Sequence, residues 1–186
     1  MKRFFDLFVS IITLFFFIVP MIFIAIIIKM TSNGPVIHLS RRIGINNNKF
    51  LMPKFRTMHN NTPHVATHLL SDSDMYITKF GRFLRLSSLD ELPQLVSVLK
   101  GDMSLVGPRP ALFNQYDLID LRKQNSVDSL RPGITGWAQI NGRDNISIHE
   151  KVKLDTEYMN KRSFFLDIKI LWFTIFTITH KNKISH

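Results

Sequence analysis

Residues 7–28 read LFVSIITLFFFIVPMIFIAIII, 22 positions without a charge between Asp6 and Lys29. As a helix rising 1.5 Å per residue, the stretch extends roughly 33 Å, which matches the hydrocarbon core of a bilayer. It belongs in lipid, and it decides the fold, because the rest of the chain must then be arranged at a membrane. A cleaved signal peptide would also begin with basic residues such as Lys2 and Arg3. The run is longer than a usual signal core, however, and no small-residue cleavage site follows Lys29. Pro20 lies well inside the run, where it removes one helix hydrogen bond and favours a kink. Proline is also tolerated in straight spans when nearby polar groups, here Ser10 and Thr13, satisfy the freed backbone. Charge placement bears on the choice. Lys2 and Arg3 precede the run, while Lys29, Arg41, Arg42, Lys49, Lys54 and Arg56 follow it. A straight span puts one basic flank on the unfavoured side, whereas a broken helix that enters and leaves one leaflet keeps both flanks cytoplasmic.

The 186 residues suit one domain with a real core. Lys and Arg total 24 against 14 acids, a formal charge of +10, which calls for an anionic partner: nucleic acid, an anionic membrane surface or a phosphorylated small substrate. The chain has no Cys, which excludes disulfides, thiol catalysis and Cys-based zinc sites.

Outward from the apolar run, TSNGP at 31–35 ends the helix with turn formers. VIHLSRR (36–42) and KFLMPKF (49–55), separated by IGINNN, read as a hairpin or two extended segments. In a strand Arg41 and Arg42 face opposite ways, while Lys54 and Arg56 share a face, as either a phosphate clamp or a solvated basic edge. Residues 60–73 are polar and turn-rich. His59, His64 and His68 accompany them, but no carboxylate completes a zinc signature, so a structural or surface role is expected.

The chemistry concentrates in LDELPQLVSVLKGDMSLVGPRP, residues 89–110. Asp90 and Glu91 stand side by side behind FGRFLRLSS, in which Arg82 and Arg85 would share a helix face. Ser88 with Glu91 reads as a capping box; alternatively Asp90 caps and Pro93 falls in the first turn of a helix running to Lys100 and stopped by Gly101. Either register puts both acids at the positive end of a helix, which favours their ionised forms as nucleophile or metal ligand. Gly107-Pro108-Arg109-Pro110 presents one guanidinium from a stiff backbone, suited to a phosphate, and no Walker or GxGxxG loop is present.

Residues 111–128 read as a helix of mixed polarity. RPGITGW (131–137) holds Arg131 and Trp137 in a rigid loop, with Trp137 available for packing, base stacking or the membrane interface. Asn141-Gly142-Arg143-Asp144 is a turn, and Ser147 with Glu150 starts a helix expected over 147–160. SFFLDIKILWFTIFTIT (163–179) is apolar but carries Asp167 and Lys169, which suits a helix lying in the interface with Trp172 as an anchor. The basic tail 180–186 would meet anionic headgroups.

KFRTM (54–58), SSLDELPQLVSVLKGDMSLVGPRP (87–110) and RPGITGWAQINGR (131–143) closely resemble blocks of the bacterial sugar transferase family, the small monotopic polyprenyl-phosphate phosphoglycosyl transferases. The likeness runs over essentially the whole chain. It implies a mainly α fold with a small β-hairpin: a re-entrant membrane helix over 1–30 broken at Pro20, interfacial amphipathic helices, and a compact cytosolic or interfacial catalytic domain over 31–186. It also implies transfer of a sugar 1-phosphate from a UDP-sugar to undecaprenyl phosphate at the cytoplasmic face of the bacterial inner membrane, releasing UMP and initiating a surface glycan. By that likeness Asp90 is the nucleophile, Glu91 the neighbouring acid, and one or both hold Mg2+. Arg85, Arg109 and Arg131, with Lys54 and Arg56, are the implied phosphate-binding residues. Implied partners are the two substrates, anionic lipids, downstream glycosyltransferases and a second copy of the chain, with nucleic acid set aside. Pro53 and Ser40 depart from the family, which commonly has an aromatic residue and a Gln there. A non-enzymatic membrane scaffold for an anionic partner is the competing expectation; it leaves Asp90 and Glu91 without a task.

Overall fold

The computed structural model describes residues 1–59, 62, 73–142 and 146–179. His64, His68, Arg143, Asp144 and the tail 180–186 lie outside them. The architecture is mainly α with one small antiparallel hairpin. Helix α1 (Lys2–Thr31) is followed by β1 (Ile37–Ile43) and β2 (Lys49–Phe55), which pair with Ile37 opposite Phe55 and Ile43 opposite Lys49. Next come α2 (Ser73–Tyr76), α3 (Lys79–Ser87), a 3-10 turn at Leu89–Glu91 and α4 (Gln94–Lys100). Strands β3 (Ser104–Val106) and β4 (Gly133–Thr135) flank α5 (Tyr116–Gln124), and α6 (Trp137–Asn141), α7 (Ile148–Lys161) and α8 (Phe164–Thr179) complete the chain.

Among the described residues α1 is the one helix long and apolar enough to cross a membrane. It runs uninterrupted through Pro20, so a change of direction there is a kink within one helix. Both its ends dock on the same body. Near the start, Lys2 Nζ pairs with Asp167 at 2.6 Å, and Arg3 donates to the carbonyls of Val98 and Leu99 at 2.6 and 3.0 Å. One turn on, Asp6 accepts from Ser104 Oγ at 2.8 Å. Near the other end Ile24 and Ile28 are buried with Phe55 and Leu84. Between them Phe15, Phe16, Ile18 and Val19 are exposed. Ser10, expected to help satisfy the backbone around Pro20, is instead buried with its hydroxyl unpartnered among the described residues.

The main core gathers Met52, Leu95, Val98, Met103, Leu105, Val106, Tyr158 and Ile170, with Phe5, Val9 and Leu14 of α1 packed against it. α8 contributes Ile170 and exposes Phe165, Trp172, Ile175 and Phe176. Asp167 of α8 is turned into the protein. It is buried, accepting from Tyr158 Oη at 2.6 Å and pairing with Lys2, because a carboxylate removed from water needs partners.

RPGITGW has a different task from the one its residues suggest. β3 and β4 form a parallel pair, with Ser104 opposite Gly133 and Val106 opposite Thr135. A Cβ on Gly133 would collide with the backbone nitrogen of Gly107 and the carbonyl of Thr135, and one on Gly136 with the carbonyl of Gly107. The glycines thus lock this segment against GPRP, backbone to backbone. Gly133→Ala is expected to cost about 3 kcal/mol, near the upper end for overpacking, and to lower the unfolding temperature. Circular dichroism melts in detergent check it.

Candidate active site

The short stretch between α3 and α4 sets the two acids. Ser88 ends α3 in the left-handed region, at φ 58°, and turns the chain into the 3-10 turn that carries them. Neither expected cap forms, since no side chain caps this turn or α4, whose N-cap is Pro93. Asp90 is buried, at 8% exposure, and makes no hydrogen bond or ion pair among the described residues. Glu91 is tied down. Its Oε1 accepts from Lys54 Nζ at 2.7 Å and from Arg109 Nη2 at 3.1 Å.

These environments separate the acids electrostatically. Burial pushes the Asp90 carboxyl above its ordinary value, and Glu91 adds to this, while Lys54, Arg85 and Arg109 pull the other way. Burial acts on Glu91 too, but Lys54 and Arg109 overcome it and hold Glu91 well below the usual carboxylate range. Burial and the cations of β2, α3 and the GPRP turn thus set the two acids apart. Glu91's interactions stabilise the fold above the ordinary carboxylate range and lose that contribution as pH falls through its depressed folded value.

The cations arrive from separate elements. Lys54 lies on β2, opposite His38 of β1, and burial lowers its own pKa while Glu91 raises it. Arg85, on α3, donates through Nε to Thr57 Oγ1 at 2.9 Å, and burial lowers its pKa against the pull of Asp90. Arg109 stands in the GPRP turn, whose backbone is held by Arg122: the Arg122 guanidinium donates to the Arg109 carbonyl at 2.8 Å and to Asp155 Oδ2 at 2.6 and 3.0 Å. Thr57 and Arg122 escape a reading of the sequence alone. Thr57 was at least signalled by its place in KFRTM, whereas nothing local marks Arg122, whose partner lies 33 positions away.

Two of the expected phosphate ligands are placed differently from these. Arg56 is buried and donates to the carbonyls of Ser32 and Asn33 at 2.9 and 2.7 Å and to Ser32 Oγ at 2.7 Å, fastening the end of α1. Arg131 donates to the Gly101 carbonyl at 3.1 Å, at the end of α4 away from the acids. Trp137 packs against the main core and donates to Glu157 Oε2 at 3.1 Å. His59 is exposed, with its backbone nitrogen bonded to the Tyr76 carbonyl.

No group of three or more His, Cys, Asp or Glu side chains suited to a metal occurs among the described residues. Two adjacent carboxylates remain. Asp90 has its oxygens uncommitted among the described residues, and the bonds recorded for Glu91 both fall on Oε1. That donor set fits Mg2+, which takes one or two carboxylates and fills its other positions with water and substrate phosphate.

The family model described as bacterial sugar transferase matches residues 1–181. The chain belongs to the bacterial sugar transferase family. Among relatives in this family, the uncharacterized sugar transferase EpsL of Bacillus subtilis is 44% identical over 94% of the chain and 85% of its own length. Undecaprenyl-phosphate glucose phosphotransferase of Komagataeibacter xylinus is 40% identical over 94% of the chain and 35% of its own length. UDP-N-acetylgalactosamine-undecaprenyl-phosphate N-acetylgalactosaminephosphotransferase of Aeromonas hydrophila is 38% identical over 95% of the chain and 43% of its own length. The chain is strongly homologous to these sugar-phosphate transferases and, with its long apolar helix, is membrane-associated. The glucose and N-acetylgalactosamine enzymes are nearly equally similar to it, so overall identity does not select a donor sugar.

Were Asp90 a nucleophile, its burial would set the acid limb of activity. A carboxylate must be ionised to attack, and a raised pKa moves the loss of activity on acidification to higher pH. Lys54 opposes that rise. Lys54→Met would then shift the acid limb further upward, besides lowering the maximal rate, as read from activity across pH.

Proposed function

We propose that this protein transfers a sugar 1-phosphate from a UDP-sugar to undecaprenyl phosphate at the cytoplasmic face of the bacterial inner membrane, in two steps through a phosphosugar ester of Asp90. The observation that carries the reading is the division between the two acids: Glu91 is neutralised by Lys54 and Arg109, and Asp90 is buried, of raised pKa and uncommitted among the described residues. A carboxylate so placed is a stronger base than an exposed one and stands among cations suited to phosphate. In the first step an Asp90 oxygen attacks the donor β-phosphorus, a bond forms to Asp90, and the bond to the bridging oxygen breaks with its electron pair leaving on UMP. In the second, an oxygen of the lipid phosphate attacks the same phosphorus and Asp90 departs as carboxylate. Lys54, Arg85 and Arg109 bind phosphate oxygens, and Arg122 positions Arg109. Arg56 supports the site by fastening α1, and Arg131 extends the cationic surface past α4. Asp90 and Glu91 would hold Mg2+, which supplies charge neutralisation of the diphosphate when bound.

Residues 1–30 act as a re-entrant membrane element and 31–186 as the catalytic domain. Docking of both ends of α1 on one body, with an exposed apolar middle around Pro20, supports entry and exit through one leaflet, which brings the site to lipid-phosphate depth. The exposed aromatic residues of α8 suit an interfacial position, and the product would pass to glycosyltransferases that extend the glycan. Purified protein in detergent with undecaprenyl phosphate, Mg2+ and a panel of UDP-sugars tests the function. UMP release with one or a few donors is expected; silence with every UDP-sugar would leave the scaffold role standing.

A further inference from the structure

Beside the cations named so far, the same face of the hairpin carries another. Residues two apart on a strand share a face, and directly paired residues share it across the strands, so Arg42 and Ser40 of β1 lie with Lys54 of β2. Arg42 is held in place: Nε donates to Ser40 Oγ at 3.0 Å and Nη1 to the Pro110 carbonyl at 3.2 Å, one residue from Arg109. Nη2 has no hydrogen-bond partner among the described residues. Burial and the neighbouring Arg109 lower its pKa to about 10, with Glu91 opposing, so the guanidinium stays charged and senses the site.

Lys54 and Arg109 meet at Glu91, and the Pro110 carbonyl holds Arg42 beside Arg109, whereas Arg85 reaches the site from α3 on the Asp90 side. An attacking oxygen and a leaving oxygen stand on opposite sides of the phosphorus during phosphoryl transfer. With Asp90 attacking, Arg109 and its neighbour Arg42 are the cations placed for the leaving group.

We infer that Arg42 binds the α-phosphate of the nucleotide donor and stabilises the negative charge that develops on the departing nucleoside monophosphate; the lipid phosphate, which must also attack opposite Asp90, then enters the place that group vacates. Ser40 and the Pro110 carbonyl aim the guanidinium for that task. This assignment rests on the two-step reading above.

Arg42→Met, Arg42→Lys and Arg41→Met test it, the last on the opposite face of β1. Loading is followed as UMP released from UDP-sugar without lipid, and UDP affinity is measured directly. Arg42→Met should slow loading and weaken UDP affinity by roughly 10- to 100-fold, the weight of a charged hydrogen bond. Arg42→Lys, which keeps the charge and loses the fork, should show a smaller loss in both, and Arg41→Met should match the wild type. Loading and UDP affinity unchanged in Arg42→Met, or an equal loss in Arg41→Met, would overturn the inference. If the wild type releases UMP without a covalent adduct, the two-step reading fails, and the UDP affinities of both Arg42 variants still decide whether Arg42 binds the nucleotide diphosphate.

Discussion

Asp90→Asn is expected to reduce sugar-phosphate transfer by at least about 10^3-fold while leaving the protein as stable as the wild type or more so. The two halves of this expectation have one origin. Asp90 makes no hydrogen bond or ion pair among the described residues, so the amide breaks no contact that holds the turn. Its folded pKa is raised, so the ionised side chain opposes folding at neutral pH, and an uncharged replacement removes that opposition. A capping aspartate would behave oppositely, with lost stability and preserved rate. Thermal melts and UMP release measured on one preparation separate the two cases.

Arg122→Met should be the most damaging single change to stability. Arg122 and Asp155 are 7% and 1% exposed and meet at 2.6 Å. Removing the cation leaves a buried carboxylate without its partner, which costs about 3–5 kcal/mol. For a chain of this length that corresponds to a fall of roughly 10 °C in the unfolding temperature. Replacing both members, as in Arg122→Met with Asp155→Leu, should recover most of the stability because no isolated charge remains. Activity should stay low in the double variant, since the Arg109 carbonyl has still lost the donor that fixes GPRP. Recovery of stability and rate together would mean that Arg122 serves only the core.

What was legible in the chain follows from the range of the forces involved. The membrane helix shows in 22 uncharged positions, and the hairpin expected at 36–42 and 49–55 forms at 37–43 and 49–55. The cap at Ser147 forms as read, its hydroxyl accepting from the Glu150 nitrogen at 3.2 Å. These are local signals. The parallel pair of β3 and β4 has three residues in each strand, too few for a period, and depends on glycine backbones meeting across 26 positions. The capping box at Ser88 failed because Ser88 adopts a left-handed conformation and long-range cations claim Glu91. Asp167 shows in the chain only as a charge that disfavours a deep span; its burial is not legible because its partner Lys2 stands 165 positions earlier. The acids themselves were visible as a pair; their unequal charge environments were not, since Lys54, Arg85 and Arg109 come from three separate elements.

The two-step account is tested most directly by the mass of the intact protein after incubation with its UDP-sugar and Mg2+ in the absence of undecaprenyl phosphate. It predicts a gain equal to one sugar phosphate, UMP in equal amount, the label on the peptide containing Asp90, and its loss when lipid phosphate is added. UMP formed only when the lipid is present, with the protein mass unchanged throughout, would contradict it.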